Sequence, residues 1–394
     1  MTRLLSEFTA VSANSKGVNV FLCLWLNIPL GLLYHKFFHP KRVPHAVRHL
    51  VGLLLGLGIA WICLKRELFI LLGICLLCYV LTYSVHSTIV HKYVHTITGC
   101  LWSVLGILLV AQIYRMIESY GTNNFDYTGR LMLLVQRLTY VAFCFHDGTC
   151  RNQKDLNEWQ EKQRIQKVPN LLEYFSYLFH FGGFLVGPCY TYMDYINFIE
   201  GKDMENALAE AKKHVRKMLW IVLICAFVTL VFGPRVPLNL NGGEMAVISC
   251  GMGFSGYDEN GNELWENARS ISIINVEFPT TLKMVLDNWN VFTSKWLRRV
   301  VHERVPYQKA AITFLTSLVW HGLYPGYFLI ATSSFLFNQV SKEARRAYGH
   351  VYKEMSPIGQ KRLMALIIFV NVILLTYCTI PFPLLRFDLG IQFL

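Results

Sequence analysis

Charged residues are scarce in this sequence and are unevenly distributed. They make up 16% of the 394 residues, whereas soluble domains average about a quarter. Six long stretches contain no Asp, Glu, Lys or Arg: 17–34, 68–90, 96–114, 174–193, 310–341 and 363–385. A large soluble protein could not easily bury so many uncharged stretches as core helices, so the composition argues against that class.

The length of these stretches favours membrane helices. The hydrocarbon core of a bilayer is crossed by roughly 20 apolar residues in a helix. Shorter apolar stretches at 50–64 and 218–233, and one at 131–145 that includes Arg137, bring the total to about nine embedded segments. Because a backbone in lipid must satisfy its own hydrogen bonds, the sequence predicts an all-α, polytopic transmembrane helical bundle.

Internal repeats and low-complexity linkers are also absent. Residues 1–394 are therefore predicted to form a single membrane-embedded domain, and the lack of two related halves counts against a transporter. The first 16 residues are mixed and polar, unlike a cleavable signal. Leu4, Leu5, Phe8 and Val11 are spaced as in a helix that lies on a membrane surface.

The net charge of +12 comes from basic residues placed beside the apolar stretches. Such clusters anchor cytoplasmic loops, attract anionic headgroups and suit an anionic cytosolic substrate. No base-reading chemistry accompanies them, so no nucleic-acid partner is expected. His86, His91 and His95 are spaced loosely like metal ligands, but no carboxylate accompanies them, and no metal site is predicted.

One polar segment, from Met284 to Arg304, has the pattern of an amphipathic helix. Apolar residues recur at three- and four-residue steps, with basic residues between them: Trp289, Phe292, Trp296 and Val300, and Lys295, Arg298, Arg299 and Arg304. This pattern predicts an amphipathic helix at or near the membrane interface.

The uncharged stretch 310–341 follows, and it is too long for one crossing. Its 32 residues would extend about 48 Å as a straight helix. Glycine and proline interrupt it within Trp320–Tyr327, which predicts a bent or re-entrant segment. His321 lies at this interruption, and an ionisable residue at membrane depth indicates a functional site.

His321 has two interpretations from the sequence alone. It either forms a hydrogen bond between helices or acts as a general base, since a dry site favours the neutral imidazole that accepts a proton. Competing signatures are absent: there is no G-x-S-x-G motif, and no histidine is followed five positions later by aspartate.

Several short motifs in a fixed order resemble a known family. They are Gln136–Thr139, Phe145–Gly148, Glu173–Tyr177, Gly187–Pro188, Asp194–Tyr195, Phe198–Ile199, Gly253–Asp258, Asp287–Asn290, Trp296–Arg298 and Trp320–Tyr327. Together they resemble the membrane-bound O-acyltransferase (MBOAT) family over most of the chain. Within that family they are most similar to the lysophospholipid acyltransferase branch.

The resemblance implies a reaction and a pair of catalytic residues. A fatty acyl chain would pass from acyl-CoA, as co-substrate without any cofactor, to the free hydroxyl of a lysophospholipid in the endoplasmic reticulum membrane, with a multi-pass topology. His321 would be the general base, and Asn290, 31 residues earlier, its partner. Asn290 could orient the acceptor, stabilise an oxyanion, or simply cap its own helix.

Further substrate-binding candidates lie around this pair. Lys295, Arg298 and Arg299 could contact CoA phosphates or serve as interface anchors, while tryptophans at such positions are often belt or packing residues. The resemblance also places the end of one segment near the reaction chamber. The predicted set is Trp289, Lys295, Trp296, Arg299, Trp320, His146 and Asp147.

The sequence also departs from the family pattern. Related chains usually have additional hydrophobic segments between the positions that match Gly233 and Met252, and another after Leu385. Here residues 235–243 join the flanking regions directly and the sequence stops at Leu394. This pattern suits a shortened variant, a splice form or a gene-model gap, in which both candidate catalytic residues remain but part of the chamber wall could be missing.

Two alternatives therefore remain open. One is an MBOAT enzyme for another acceptor, such as a sterol, a diacylglycerol or a protein. The other is a catalytically inactive scaffold. The Asp287–Asn290 and His146–Gly148 motifs favour the phospholipid branch. The sequence defines neither the headgroup and acyl-chain preferences nor the oligomeric state.

Overall fold

The computed structural model describes residues 15–83, 97–121, 126–202, 210–220 and 238–379, and these are mainly helical. Strands within these ranges are limited to Gly256–Tyr257 and Glu263–Leu264, which pair antiparallel with Gly256 opposite Leu264. Asp258 closes the hairpin between them, because its carboxylate accepts hydrogen bonds from the backbone N–H groups of Asn260 and Asn262. The predicted all-α class is confirmed.

The chain divides into two compact units, Met1–Val104 with Phe125–Ser270, and Leu105–Asn124 with Ile271–Leu394. Helices of the first unit are Ser15–Phe37, His45–Leu64, Glu67–Tyr83, Thr128–Thr149, Glu158–Gln163, Leu171–Phe179, Phe181–Phe184, Tyr192–Glu200, residues 210–220 and Leu238–Ser249, with a 3-10 turn at Gln153–Asp155. Those of the second are Ile273–Glu277, Leu282–Trp289, Val291–Trp296, the π-helix Leu297–His302, Lys309–His321, Pro325–Glu354 and Pro357–Thr379. The Ile97–Glu118 helix begins in the first unit and continues into the second.

Three of the described helices are long and apolar enough to cross a membrane: Gly17–Phe37, His45–Leu64 and Pro357–Thr379. They expose large apolar side chains that a bilayer would cover. Leu54 and Phe369, for example, are 58% and 62% exposed. Together with the shorter apolar helix Glu67–Thr82, they confirm a multi-pass membrane protein.

One predicted segment, 174–193, is not a single membrane helix, and that prediction is wrong. The Leu171–Phe179 helix ends there, the four-residue helix Phe181–Phe184 follows, and an irregular segment with a cis Gly187–Pro188 bond leads to the next helix. Several glycines and a proline without a backbone N–H disfavour a continuous helix.

Arg137 donates hydrogen bonds to the carbonyl groups of this irregular segment. Its guanidinium donates to the carbonyl oxygens of Tyr177, Leu178, Gly183 and Pro188, at 3.1, 2.8, 2.6 and 3.3 Å. The side chain is fully buried and also lies 4.4 Å from the centre of the Tyr190 ring. Buried irregular backbone requires such internal partners, so the arginine in the 131–145 stretch has a structural role.

The predicted interruption of the 310–341 stretch is confirmed. The Lys309–His321 helix ends at Gly322, whose φ of +116° is a conformation that favours glycine. A new helix, Pro325–Glu354, begins with proline at its first turn, where the missing N–H is not needed. The break therefore places His321 at a helix end.

Some predictions fall on residues outside the described ranges. These are the surface helix over residues 4–11, the group His86, His91 and His95, and most of the 218–233 stretch. They remain predictions.

Candidate active site

His321 is the last residue of its helix and lies among aromatic rings. The ring centres of Trp320 and His321 are 4.7 Å apart with an interplanar angle of 70°, and Tyr327 lies at 5.7 Å and 54°. The imidazole is partly buried. Because Tyr327 comes from the first turn of the following helix, the break in the chain brings the two rings together.

Two tryptophans connect the histidine helix to the preceding segment. The Trp296 side chain is fully buried, and its ring centre lies 6.0 Å from that of Trp320, which is 4% exposed. The π-helix Leu297–His302 also contacts the Lys309–His321 helix. The structure thus brings Trp296, Trp320 and His321 together, and both tryptophans are packing residues of the second unit.

Asn290 interrupts the predicted amphipathic helix, so the prediction of one helix over Met284–Arg304 is wrong. The Leu282–Trp289 helix ends at Asn290, with φ −139° and ψ 78°, and Val291–Trp296 starts after it. Asparagine competes for local backbone hydrogen bonds and therefore favours such helix starts.

The Asn290 side chain caps the second of these helices. Its amide oxygen accepts a hydrogen bond from the Thr293 N–H at 3.3 Å. Within the described residues, the Asn290 NH2 group makes no hydrogen bond, and the side chain is partly buried. The amide therefore uses its acceptor for the helix cap, whereas its two N–H donors are not used by this cap.

The basic residues after Asn290 differ in their surroundings. Lys295 is partly buried, with its Nζ 5.8 Å from the centre of the Phe292 ring. Arg298 is exposed and pairs with Glu303 at 3.0 Å. Arg299 is partly buried, and its carbonyl accepts from Arg304 Nε at 3.0 Å. Lys295 and Arg299 are therefore less exposed than Arg298.

Trp289 has a different environment from the other two tryptophans. It ends the Leu282–Trp289 helix and is 43% exposed. An exposed indole beside basic residues is typical of a membrane interface. Among the ring contacts of the described residues, Trp289 does not join those around His321.

His146 and Asp147 belong to the first unit. Asp147 is buried and forms an ion pair with Arg151 at 3.2 Å, and Arg151 also donates to the Asp155 carbonyl. His146 is partly buried in the last turn of the Thr128–Thr149 helix. The Asp147 contacts stabilise the loop after this helix, and a role in substrate binding stays a prediction.

Sequence reasoning missed one residue that touches this site. Gln112, on the Ile97–Glu118 helix, donates a hydrogen bond from Nε2 to the carbonyl oxygen of Trp320 at 2.8 Å. The available signal was an amide side chain inside the uncharged stretch 96–114, because a polar residue at membrane depth needs a partner.

Comparison with known proteins agrees with the motifs. A family model described as "MBOAT, membrane-bound O-acyltransferase family" matches residues 57–235 and 242–379. The chain is 30% identical to Lysophospholipid acyltransferase 6 of Drosophila melanogaster, over 94% of this chain and 57% of that protein. It is 29% identical to Membrane-bound glycerophospholipid O-acyltransferase 2 of Homo sapiens, over 98% of this chain and 82% of that protein.

A more distant relative carries a similar name. Lysophospholipid acyltransferase of Schizosaccharomyces pombe is 27% identical over 62% of this chain and 57% of that protein. The chain thus spans little more than half the length of the fly and yeast relatives. The family model nevertheless covers both units, including the segments that carry Asn290 and His321. The chain therefore belongs to the membrane-bound O-acyltransferase family.

Proposed function

We propose that this protein transfers a fatty acyl chain from acyl-CoA to the free hydroxyl of a lysophospholipid, with His321 as general base and Asn290 as oxyanion donor. The observation that carries the proposal is the position of His321, an ionisable ring at a helix break within an apolar stretch. Family membership and the names of the relatives support acyl transfer and this class of acceptor.

The chemistry needs one proton acceptor and one oxyanion donor. His321 takes the proton of the lysophospholipid hydroxyl while its oxygen attacks the thioester carbon of acyl-CoA. Negative charge then develops on the former carbonyl oxygen, and the Asn290 NH2 group donates a hydrogen bond to it. The C–S bond breaks, the thiolate of CoA receives the proton from His321, and an ester and free CoA leave.

The N–H donors of Asn290 favour the role of oxyanion donor over that of orienting the acceptor. Its oxygen already accepts a hydrogen bond from the Thr293 N–H, so it is less available to accept one from the incoming hydroxyl. An N–H donor, in contrast, is what an oxyanion requires. Helix capping and catalysis are therefore compatible functions of one amide.

We further propose that the protein acts in the endoplasmic reticulum membrane. Acyl-CoA reaches such a site from the cytosol, whereas the lysophospholipid arrives through the bilayer. Partly buried cations at Lys295 and Arg299 fit the phosphates of CoA on the cytosolic side.

The function is tested by offering the purified protein one labelled acyl-CoA with different acceptors. Lysophospholipids with choline, ethanolamine, serine or inositol headgroups are compared with a sterol and a diacylglycerol. Acylation of at least one lysophospholipid, and of neither other lipid, is the expected result. Folded protein that acylates only the sterol or diacylglycerol, or no acceptor at all, would overturn the proposal.

A second prediction concerns the acyl donor. Replacing Lys295 and Arg299 together with glutamine should raise the apparent KM for acyl-CoA and weaken its dependence on salt. The reason is that attraction between accessible charges is screened within about 8–10 Å at physiological ionic strength. The measurement is initial rate against acyl-CoA concentration at low and high salt.

A matched control keeps the change in net charge the same. Arg345 and Arg346 lie on the Pro325–Glu354 helix of the same unit, and Arg346 pairs with Glu343 on the surface. Their double glutamine variant should keep the wild-type KM and salt response. If the Lys295 and Arg299 variant behaves like this control, those two residues are membrane anchors only.

A further inference from the structure

Gln112 is a buried amide within the uncharged stretch 96–114. It lies on the Ile97–Glu118 helix and is 5% exposed. Burying an amide is costly unless its polar atoms find hydrogen-bond partners. The identity of the partner therefore indicates why an amide is present at this position.

That partner is the carbonyl of Trp320, 208 residues later in the sequence, at 2.8 Å from Gln112 Nε2. Trp320 lies in the last turn of its helix, where carbonyl groups lack partners within the helix. This carbonyl also belongs to the peptide group that links Trp320 to His321. This peptide group is planar, so the hydrogen bond fixes the orientation of the peptide plane that precedes the Cα of His321.

Gln112 also lies against the residue on the other side of His321. A Cβ added to Gly322 would come within 2.9 Å of Gln112 Oε1. The Gly322 backbone has φ +116°, so both its conformation and this close approach favour glycine. One amide thus bonds to the residue before the histidine and lies beside the residue after it.

Among the described residues, Gln112 Oε1 is buried and accepts no hydrogen bond. This unsatisfied oxygen lowers stability and offsets part of what the hydrogen bond from Nε2 to the Trp320 carbonyl contributes. The geometric effect of the donor, a fixed position of the Trp320 carbonyl, is not offset in this way.

We propose that Gln112 is a positioning residue for His321: it holds the Trp320–His321 peptide group and thereby sets the direction of the imidazole. The proposal rests on the function proposed above for His321. General-base catalysis is sensitive to placement, and a displacement of about 1 Å at a reacting group can cost about 100-fold in rate.

The test is Gln112→Met, which keeps the length of the side chain and removes the donor. It should lower kcat by about 10- to 100-fold and leave the KM values for acyl-CoA and lysophospholipid within about twofold, because substrate contacts are unchanged. Gln112→Asn keeps the amide on a shorter side chain and should retain a kcat between those of wild type and Gln112→Met.

Asn371 provides a matched control. It is likewise 5% exposed in an apolar helix of the same unit, and its Nδ2 donates to the distant carbonyl of Pro279 at 3.0 Å. Asn371→Leu removes the same kind of hydrogen bond without touching the peptide of His321. It should lower thermal stability in detergent and leave kcat per folded molecule near the wild-type value.

The outcomes separate this inference from the proposed function. A Gln112→Met protein that loses stability like Asn371→Leu but keeps its kcat, while His321→Ala is inactive, overturns the positioning role alone. If His321→Ala is also fully active, His321 is not the general base, and the proposed function is overturned rather than the positioning role alone. Should Gln112→Met not fold, Gln112→Asn decides: a lowered kcat at unchanged KM supports the proposal, and wild-type kcat refutes it.

Discussion

His321→Ala should reduce acyl transfer per folded molecule to a small fraction of the wild-type rate. Loss of a general base typically costs about 10²–10⁴ in rate, and in a site with little water no substitute base is at hand. The folded state should survive, because the imidazole is one ring among the Trp320 and Tyr327 contacts. The measurement is initial rate divided by the amount of protein in the monodisperse gel-filtration peak.

His350 is the matched control for this substitution. It is an exposed histidine on the Pro325–Glu354 helix of the same unit, so His350→Ala makes the same chemical change away from the helix break. His350→Ala should keep the wild-type rate. A folded His321→Ala protein with a rate similar to that of His350→Ala would identify His321 as a structural histidine.

Asn290→Asp should also abolish most of the activity, and it should do so without destabilising the protein. An aspartate side chain can accept the same hydrogen bond from the Thr293 N–H and is an equally good helix cap. The local fold should therefore be kept. What is lost is the NH2 donor, and the new carboxylate repels a developing oxyanion. Removal of one oxyanion donor typically costs about 10²–10³ in kcat.

Asn290→Ala separates the two functions of this amide. It removes the cap as well as the donor, so it should lose activity and also about 0.5–2 kcal/mol of stability. Thermal unfolding in detergent and kcat are measured for both variants. If Asn290→Asp retains near-wild-type kcat while Asn290→Ala is merely less stable, Asn290 is a cap and has no catalytic function.

Periodicity and uncharged stretches predicted the class of the fold well because membrane helices depend mainly on local composition. The break after His321 was predictable for the same reason, since Gly322 and Pro325 determine it locally. The interruption at Asn290 was not predicted. Its helical spacing continues through the asparagine, and only the capping bond to Thr293 reveals the new helix start.

The sequence did not identify hydrogen-bond partners that are far apart along the chain. Nothing local indicates that Arg137 donates to four carbonyls of a segment 40 to 51 residues later. Likewise, Gln112 and Trp320 are 208 residues apart. A buried polar residue in an apolar stretch predicts that some partner exists, whereas its identity depends on the tertiary packing.

Trp296 and Trp320 illustrate a related limit. Their positions in the sequence were compatible with a membrane interface or with a buried core, because tryptophan is frequent in both. The structure buries both rings against one another, whereas Trp289 stays exposed. Amphipathic spacing alone could not distinguish these environments, since the π-helix and the break at Asn290 alter which side chains share a face.

The most direct test of the account is a single assay that follows both products of the proposed reaction. Purified protein is incubated with acyl-CoA and a lysophospholipid, and free CoA thiol and diacylphospholipid are quantified in the same samples. Equal molar amounts should appear, only when both substrates are present, and His321→Ala should form neither. Thiol release without diacylphospholipid, or equal product from folded His321→Ala, would contradict the account.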